Sequence, residues 1–276
     1  MKTIVAKDAG YCFGVRDAVN MAYDAARKHG AVYMLGAIVH NEQVVDDLEK
    51  AGARIVTDLD DIPPGSPVLF RAHGTTREVW NAAHERGMNI IDATCPLVHE
   101  IHGEVRKLAE NERQIVIIGD HGHDEVMAIA NQVNGSIVVA NPDEAADLRK
   151  MKRIGVVSQS TQTIENVQAI VNVLMTKVFD LHFVNTICFP TKRNQEQIKM
   201  LADMTDVMII IGSFTSANSK RLAQLAQERN KSSYQVTCVN ELEPIWFKGK
   251  ETVGISAGAS TPDYLIEDVK QRIEKM

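Results

Sequence analysis

The fold is decided by a stretch that occurs three times, each time as an apolar strand followed by a glycine, a polar loop and a helical pattern. The copies are VYMLGAIVHNEQVVDDLEKAG (32–52), QIVIIGDHGHDEVMAIANQVNG (114–135) and VMIIIGSFTSANSKRLAQLAQERN (207–230). Four positions after the glycine, each copy carries a polar residue: His40, His123 and Ser216. Because self-similarity of this kind marks repeated supersecondary units, the chain is predicted to contain three similar α/β units.

A second strand, loop and helix follows each copy, at residues 66–87, 153–174 and 251–273. The loops of these segments carry His73, Thr163 and Ser260. Ser and Thr at the start of a helical pattern are good N-caps. Since loops at the carboxyl ends of parallel strands are where open α/β sheets bind ligands, we expect these polar groups to face a ligand.

A third element is a short strand that ends in cysteine. NIIDATC ends at Cys95 and LHFVNTIC ends at Cys188, whereas the last repeat stops without such a strand. The N-terminal segment TIVAKDAGYC, ending at Cys12, supplies the missing piece. We therefore expect three small parallel-sheet α/β units around a pseudo-threefold axis with a central site: 13–95, 96–188, and 189–276 plus 1–12.

Composition argues against nucleic-acid-binding, membrane-spanning and secreted classes of protein. The 276 residues carry a net charge of −6, which argues against a general nucleic-acid surface. No apolar run reaches the roughly 18 residues of a membrane span, and the N-terminal residues lack the apolar core of a secretory signal. The expected location is cytoplasmic.

The cysteines at 12, 95, 188 and 238 lie far apart, without the close pairs of a zinc finger or a thioredoxin-type dithiol. Cys238 falls outside the repeat pattern, and we interpret it as a packing residue. Cys12, Cys95 and Cys188 fit two kinds of metal centre. One is a catalytic zinc with an open position, and the other is an iron–sulfur cluster with one iron open to water or substrate.

Polar groups of the predicted loops suit an anion with several oxygens, such as a phosphate or diphosphate. They are His40, His73, His123, Ser216, Asn218 and Ser260. Three histidines can also be zinc ligands of a hydrolase, although their spacing does not match HExxH. Glu125, near Thr163 of the same repeat, is a candidate proton donor; the alternative is a first-turn carboxylate stabilised by the helix dipole.

Nine motifs in order, spanning about Cys12 to Asp263, resemble the LytB family. They are AGYCFGVRDAV, GAIVHNEQVV, RAHGTTREVW, DATCPLVHEIH, GHDEV, STQT, NTICFPTKRNQ, GSFTSANSKRL and SAGASTPD. The resemblance implies reductive dehydroxylation of 4-hydroxy-3-methylbut-2-enyl diphosphate to isopentenyl and dimethylallyl diphosphate. This reaction is the last step of the methylerythritol phosphate route to isoprenoids. Ferredoxin or flavodoxin is the electron donor that the resemblance implies.

The same resemblance also implies which residues of this chain form the active site. It implies a [4Fe–4S] cluster with three cysteine ligands, Cys12, Cys95 and Cys188, and one open iron. Glu125, Thr163 and His123 would be catalytic, with Thr163 holding Glu125. The diphosphate would be bound by His40, His73, His123, Thr163, Ser216, Asn218 and Ser260.

The chain departs from the family pattern in two motifs. Ala217 stands where Ser or Gly is usual, and Ile164 stands where a second Thr is common. Two other functions stay open: a non-enzymatic iron–sulfur sensor or scaffold, and a three-thiolate zinc enzyme. Glu125, Thr163 and the histidines favour the reductase, because a sensor does not need them.

Overall fold

Twelve strands form three four-stranded sheets in the computed structural model, which describes residues Met1–Met276. The strands are β1 (Lys2–Val5), β2 (Val32–Leu35), β3 (Ala53–Val56), β4 (Pro67–Phe70), β5 (Asn89–Asp92), β6 (Gln114–Ile118), β7 (Ile137–Val139), β8 (Met151–Ser158), β9 (Val178–Phe183), β10 (Val207–Ile211), β11 (Ser233–Val236) and β12 (Thr252–Ala257). All paired strands run parallel.

Ten helices connect the strands. They are α1 (Phe13–His29), α2 (Glu42–Lys50), α3 (Arg77–Glu85), α4 (Pro96–Glu110), α5 (Asp124–Ala130), α6 (Pro142–Asp147), α7 (Ile164–Met175), α8 (Phe189–Met204), α9 (Ala217–Arg229) and α10 (Asp263–Glu274). None of these helices combines the length and the apolar character needed to cross a membrane.

The three sheets share one strand order. It is β3-β2-β4-β5 in the first sheet, β7-β6-β8-β9 in the second and β11-β10-β12-β1 in the third. The N-terminal strand thus completes the third sheet, with Lys2 opposite Thr252 and Val5 opposite Ile255. The prediction of three similar parallel-sheet α/β units, one of them closed by the N-terminal strand, is confirmed.

Equivalent hydrogen bonds repeat where the strands end. The glycine N–H after the first strand of each unit donates to a valine carbonyl: Gly36 to Val56, Gly119 to Val139 and Gly212 to Val236, at 2.9, 3.0 and 2.8 Å. Each glycine therefore starts its loop from the same position relative to the neighbouring strand.

Strand β10 shows why the central strands of these parallel sheets are apolar along their whole length. Its sequence VMIII is buried on both faces, as expected for a parallel sheet covered by helices on each side. Val207, Ile209 and Ile211 pack with residues of α10. Met208 and Ile210 face the other way and pack with residues of α8 and α9. The alternation places helices on both sides of the sheet.

The chain divides into two compact units that do not coincide with the three sheets. One comprises Met1–Arg16, Val39–Asp47 and Phe189–Met276, and it holds the third sheet. The other comprises Asp17–Ile38 and Leu48–Cys188, and it holds the first and second sheets. The predicted boundaries of the three repeats, and their arrangement around an axis, stay predictions.

Candidate active site

Each of the three repeat cysteines stands between the last strand of its sheet and the start of a helix. The backbone N–H of Cys12, Cys95 and Cys188 donates to a carbonyl in the second loop of the same unit: Ala259, Ala72 and Ser160, at 3.3, 3.0 and 3.0 Å. Helices α1, α4 and α8 begin at the next residue in each case. A helix N-terminus favours negative charge, so these positions favour thiolates.

The three cysteines share their redox state and their degree of exposure. No disulfide forms, and all three cysteines are partly exposed. Their equivalent backbone positions and thiolate-favouring surroundings fit an iron–sulfur cluster, whose protein ligands are cysteine thiolates. Cys238 lies elsewhere, two residues after β11, at the start of a short 3₁₀ turn. The corresponding positions of the other two units are Asp58 and Asn141, so no cysteine is repeated there.

Glu125 is a buried carboxylate whose two oxygens both accept hydrogen bonds. It is 2% exposed, at the second residue of α5. Its Oε1 accepts from the N–H of Ser160 at 2.6 Å, and its Oε2 accepts from Ser160 Oγ at 2.8 Å. Because the carbonyl of Ser160 also accepts from Cys188 N–H at 3.0 Å, a single residue connects the carboxylate to a cysteine position.

The expected contact of Thr163 with Glu125 stays a prediction, and the structure places Thr163 at the start of a helix. Its side chain is the N-cap of α7, where Oγ1 accepts from the N–H of Asn166 at 3.2 Å. The serine that binds Glu125 lies three residues earlier in the same loop. Ser160 was missed because one of its bonds comes from the backbone, and residue type does not reveal where a backbone N–H points.

His123 is the N-cap of α5. Its Nδ1 accepts from the N–H of Glu125 at 3.1 Å, so in the neutral ring the proton is on Nε2. The ring of His73 lies edge-on to that of His123, with centroids 5.6 Å apart. The structure thus brings together two histidines that the sequence placed on loops of different repeats.

Arg71 and Asp124 form an ion pair that the sequence did not reveal. Arg71 Nη1 lies 2.6 Å from Asp124 Oδ2, and both side chains are about three-quarters buried. Asp124 is the first residue of α5, so the pair connects the end of β4 to the helix that carries Glu125. The sequence signal was weak, because an arginine after a strand and an aspartate at a helix start are both common.

Helix α9 presents a second set of predicted ligands. Ser216 is its N-cap and accepts from Ser219 N–H at 3.3 Å. Asn218 is buried in the first turn, and its side-chain Nδ2 has no hydrogen-bond partner. Ala217 is the first helical residue, where the unsatisfied backbone N–H groups of a helix lie. A buried amide donor without a partner at a helix N-terminus fits a bound anion.

The loop of His40 is attached to the same compact unit. Ser260 Oγ donates to the carbonyl of His40 at 3.1 Å. Glu42 Oε1 accepts from Ser213 Oγ at 2.7 Å and from Thr215 Oγ1 at 3.1 Å. Burial favours the neutral form of Glu42, but these hydrogen bonds and the nearby His40 outweigh it and hold its pKa below the ordinary value. The Ser260 side chain therefore contacts the backbone of His40.

Comparison with known proteins agrees with the motifs and the fold. A family model described as LytB protein matches residues 3–274. The 4-hydroxy-3-methylbut-2-enyl diphosphate reductase of Geotalea uraniireducens is 42% identical, over 100% of this chain and 98% of that protein. The enzyme of the same name from Geobacter sulfurreducens is 41% identical, also over 100% of this chain and 98% of its own.

Two solved structures are similar over nearly the whole chain. One, a structure of (E)-4-hydroxy-3-methyl-but-2-enyl diphosphate reductase described as the terminal enzyme of the non-mevalonate pathway, has a TM-score of 0.72 at 38% identity. It covers 100% of both chains. The E-1-hydroxy-2-methyl-but-2-enyl-4-diphosphate reductase from Plasmodium falciparum has a TM-score of 0.93 at 28% identity, over 98% of this chain and 87% of that one. With the family model matching almost every residue, the chain belongs to the LytB family.

Proposed function

We propose that this chain catalyses the reductive dehydroxylation of 4-hydroxy-3-methylbut-2-enyl diphosphate to isopentenyl and dimethylallyl diphosphate. The allylic C–O bond is cleaved with two electrons and two protons, and the oxygen leaves as water. The observation that carries the proposal is the repeated cysteine position, with Ser160 connecting Cys188 to the buried Glu125. The names of the similar enzymes point to the same reaction.

Cys12, Cys95 and Cys188 would hold a [4Fe–4S] cluster that keeps one iron open. When bound, the cluster supplies electrons and a Lewis-acidic iron for the hydroxyl group of the substrate. This assignment requires the three sulfurs to meet at a central site, with the three repeats arranged around it.

The diphosphate would be bound by neutral hydrogen-bond donors and by helix N-termini. The proposed ligands are His40, His73, His123, Thr163, Ser216, Asn218 and Ser260. His123, Thr163 and Ser216 are N-caps of α5, α7 and α9, so each brings the positive end of a helix dipole to the anion. Fixing the diphosphate at several points orients the allyl group for reaction, which can lower the barrier by several kcal/mol.

Glu125 would deliver the proton to the departing hydroxyl group. With Glu125 ionised, Ser160 donates to both carboxylate oxygens, and with Glu125 protonated, the Ser160 hydroxyl can accept instead. The serine therefore keeps the carboxyl group in one orientation through a proton-transfer cycle. A positioned acid of this kind contributes about 10²- to 10⁴-fold in rate.

The experiment is anaerobic turnover of the allylic diphosphate by iron-loaded protein, with a reduced viologen dye as electron source. We expect substrate consumption and formation of both isomeric diphosphates. Iron-loaded protein that consumes no substrate would favour the iron–sulfur sensor. Zinc in place of iron, with no absorption from iron–sulfur charge transfer, would favour the zinc enzyme. A cytoplasmic location and a ferredoxin or flavodoxin as the natural donor complete the proposal.

A further inference from the structure

Two exposed phenylalanines stack on each other beside cysteine positions. Phe13 and Phe189 have ring centroids 5.7 Å apart and planes inclined by 11°. They follow Cys12 and Cys188 directly in the sequence and begin helices α1 and α8. Their exposures of 39% and 50% are high for large apolar side chains in mutual contact. An exposed aromatic pair of this kind is typical of a surface that another molecule covers.

Arginines border the aromatic pair. The guanidinium of Arg193 lies 5.5 Å from the ring centre of Phe189, and that of Arg16 lies 5.5 Å from the ring centre of Tyr11. Each arginine also pairs with one carboxylate, Arg193 with Asp8 at 3.1 Å and Arg16 with Asp263 at 3.2 Å. A guanidinium has five N–H donors, so one carboxylate leaves donors free for a further partner. Aromatic residues with arginine are the composition of interface hot spots.

The local charge differs in sign from that of the whole chain. Segments 7–16 and 189–199, which carry the aromatic residues and both arginines, contain five Lys or Arg and two Asp or Glu. Including Asp263, these segments have two excess positive charges in a chain of net charge −6. A partner with an acidic contact face therefore matches these segments better than it matches the chain as a whole.

We propose that Tyr11, Phe13, Arg16, Phe189 and Arg193, here called the Phe13–Phe189 surface, form the docking site of an acidic one-electron carrier protein. The inference rests on the proposed function, which needs two electrons per turnover. The carrier is oxidised twice, one electron at a time, and the electrons enter beside the cysteines that would hold the cluster. The stacked rings provide the apolar centre of the contact and the arginines its charged rim.

The test compares two electron sources in the same iron-loaded protein. An acidic flavodoxin, reduced beforehand, is the protein donor, and reduced methyl viologen is the small-molecule donor. We expect Arg193→Glu and Phe189→Ser each to lower kcat/KM for flavodoxin about tenfold or more, the scale of a hot-spot loss. The viologen-driven rate and the iron content should stay within about twofold of wild type, because a small dye does not need the docking site.

Matched controls carry the same substitutions elsewhere. Arg229→Glu changes an arginine that is also partly exposed and also paired, with Asp203 at 2.7 Å. Phe179→Ser removes a phenylalanine that is 91% exposed on β9. Neither control should change flavodoxin-driven turnover. Equal losses with both electron donors, or no loss with either, would overturn the docking site.

Binding of oxidised flavodoxin, measured by calorimetry, separates this inference from the proposed function. Wild type should bind more weakly at 300 mM than at 50 mM salt, and Arg193→Glu should raise Kd about tenfold at low salt. If wild type turns over with neither donor but binds flavodoxin in this way, the proposed function fails and the docking site stands. If viologen drives turnover while Arg193→Glu and wild type bind flavodoxin equally, the docking site fails alone.

Discussion

Ser160 contacts the two groups on which the proposed chemistry depends. Its N–H and hydroxyl hold the carboxylate of Glu125, and its carbonyl accepts from Cys188 N–H. A carboxyl group held in this way has a fixed orientation before substrate arrives, which is how a general acid is pre-organised. The same residue therefore sets the distance between a proton donor and a cysteine position.

Glu125→Gln should retain iron and diphosphate affinity but lose turnover by about 100-fold or more, because the amide has no proton of suitable acidity to deliver. Anaerobic kcat, iron content and binding of the diphosphate are the measurements. Glu78→Gln is the control, since Glu78 is the second residue of α3 as Glu125 is of α5, yet it is exposed. A variant with near-normal kcat would remove Glu125 from the proton path.

Gly36→Ala should destabilise the protein by about 1–3 kcal/mol. The glycine has φ +77°, and a Cβ there would lie 2.7 Å from Arg71 Nη1, displacing the arginine that pairs with Asp124. Gly30→Ala is the control, with φ +74° and nothing within 4 Å of the added Cβ, so it loses only the backbone contribution. Urea unfolding of both variants measures the difference, and equal losses would contradict a role for Arg71.

Cys238→Ala should leave the iron content unchanged, since Cys238 lies outside the repeated cysteine position. Cys188→Ala should lower it strongly. Iron and sulfide assays on proteins purified without oxygen measure both. A colourless Cys238→Ala protein would show that the fourth cysteine is a ligand.

At the scale of elements, helix α4 combines a cysteine position with a buried histidine. It begins directly after Cys95 and buries His102, which is 6% exposed. The Cε1 of His102 would lie 3.1 Å from a Cβ on Gly74, so the ring packs beneath the loop that carries His73. Burial, together with the nearby His99 and Arg106, lowers the pKa of His102 to about 4. The helix thus carries a neutral imidazole at neutral pH.

His102 should make stability depend on pH between about 6.5 and 4. In the unfolded chain it binds a proton below pH 6.5, whereas in the folded protein it stays neutral down to about 4. Its contribution is therefore complete above pH 6.5 and is lost as the pH falls, by about 2–3 kcal/mol between pH 7 and 4.5.

Chemical denaturation at both pH values measures this loss. His102→Gln should lose less stability on acidification than wild type, because the variant has no imidazole to protonate. His84→Gln, at an exposed position of α3, should behave like wild type. An identical pH dependence in all three proteins would contradict the assignment.

At the scale of the whole molecule, the three similar units and the place of the N-terminal strand in the third could be predicted from the sequence, because repeated apolar patterns indicate them. Gly36, Gly119 and Gly212 marked equivalent strand ends, and Cys12 identified the displaced strand. The repeated pattern could not show that Val39–Asp47 belongs to the same compact unit as the C-terminal segment. Side-chain hydrogen bonds such as the one from Ser213 to Glu42 connect the two segments, and an apolar pattern does not reveal such bonds. Ser160 was missed for a similar reason, since its contact is partly made by the backbone.

A circularly permuted chain should fold and bind iron. Thr3 Oγ1 donates to Glu274 Oε1 at 2.6 Å, so the two ends of this chain lie close enough for a Gly/Ser linker of about six residues. New ends between Pro64 and Gly65 fall in an exposed turn before β4. We expect a Tm within about 5 °C of the parent by calorimetry.

Deletion of residues 2–6 is the contrasting variant, since it removes β1 from the third sheet. It should lower both Tm and iron content. A harmless deletion would show that β1 is not needed in the third sheet. A permuted chain that fails to fold would contradict the closeness of the two ends.

The displaced strand also has a consequence for biosynthesis. Lys2–Val5 is synthesised about 250 residues before its pairing partner, residues 252–255, and Cys12 finds its hydrogen-bond partner only at Ala259. Strand β1 must therefore stay unpaired until those later residues have been made. Under the proposed function, the cluster could be loaded only after residues 252–259 have been made, because a product that stops before residue 250 would have only two of its three proposed cysteine ligands in their folded positions.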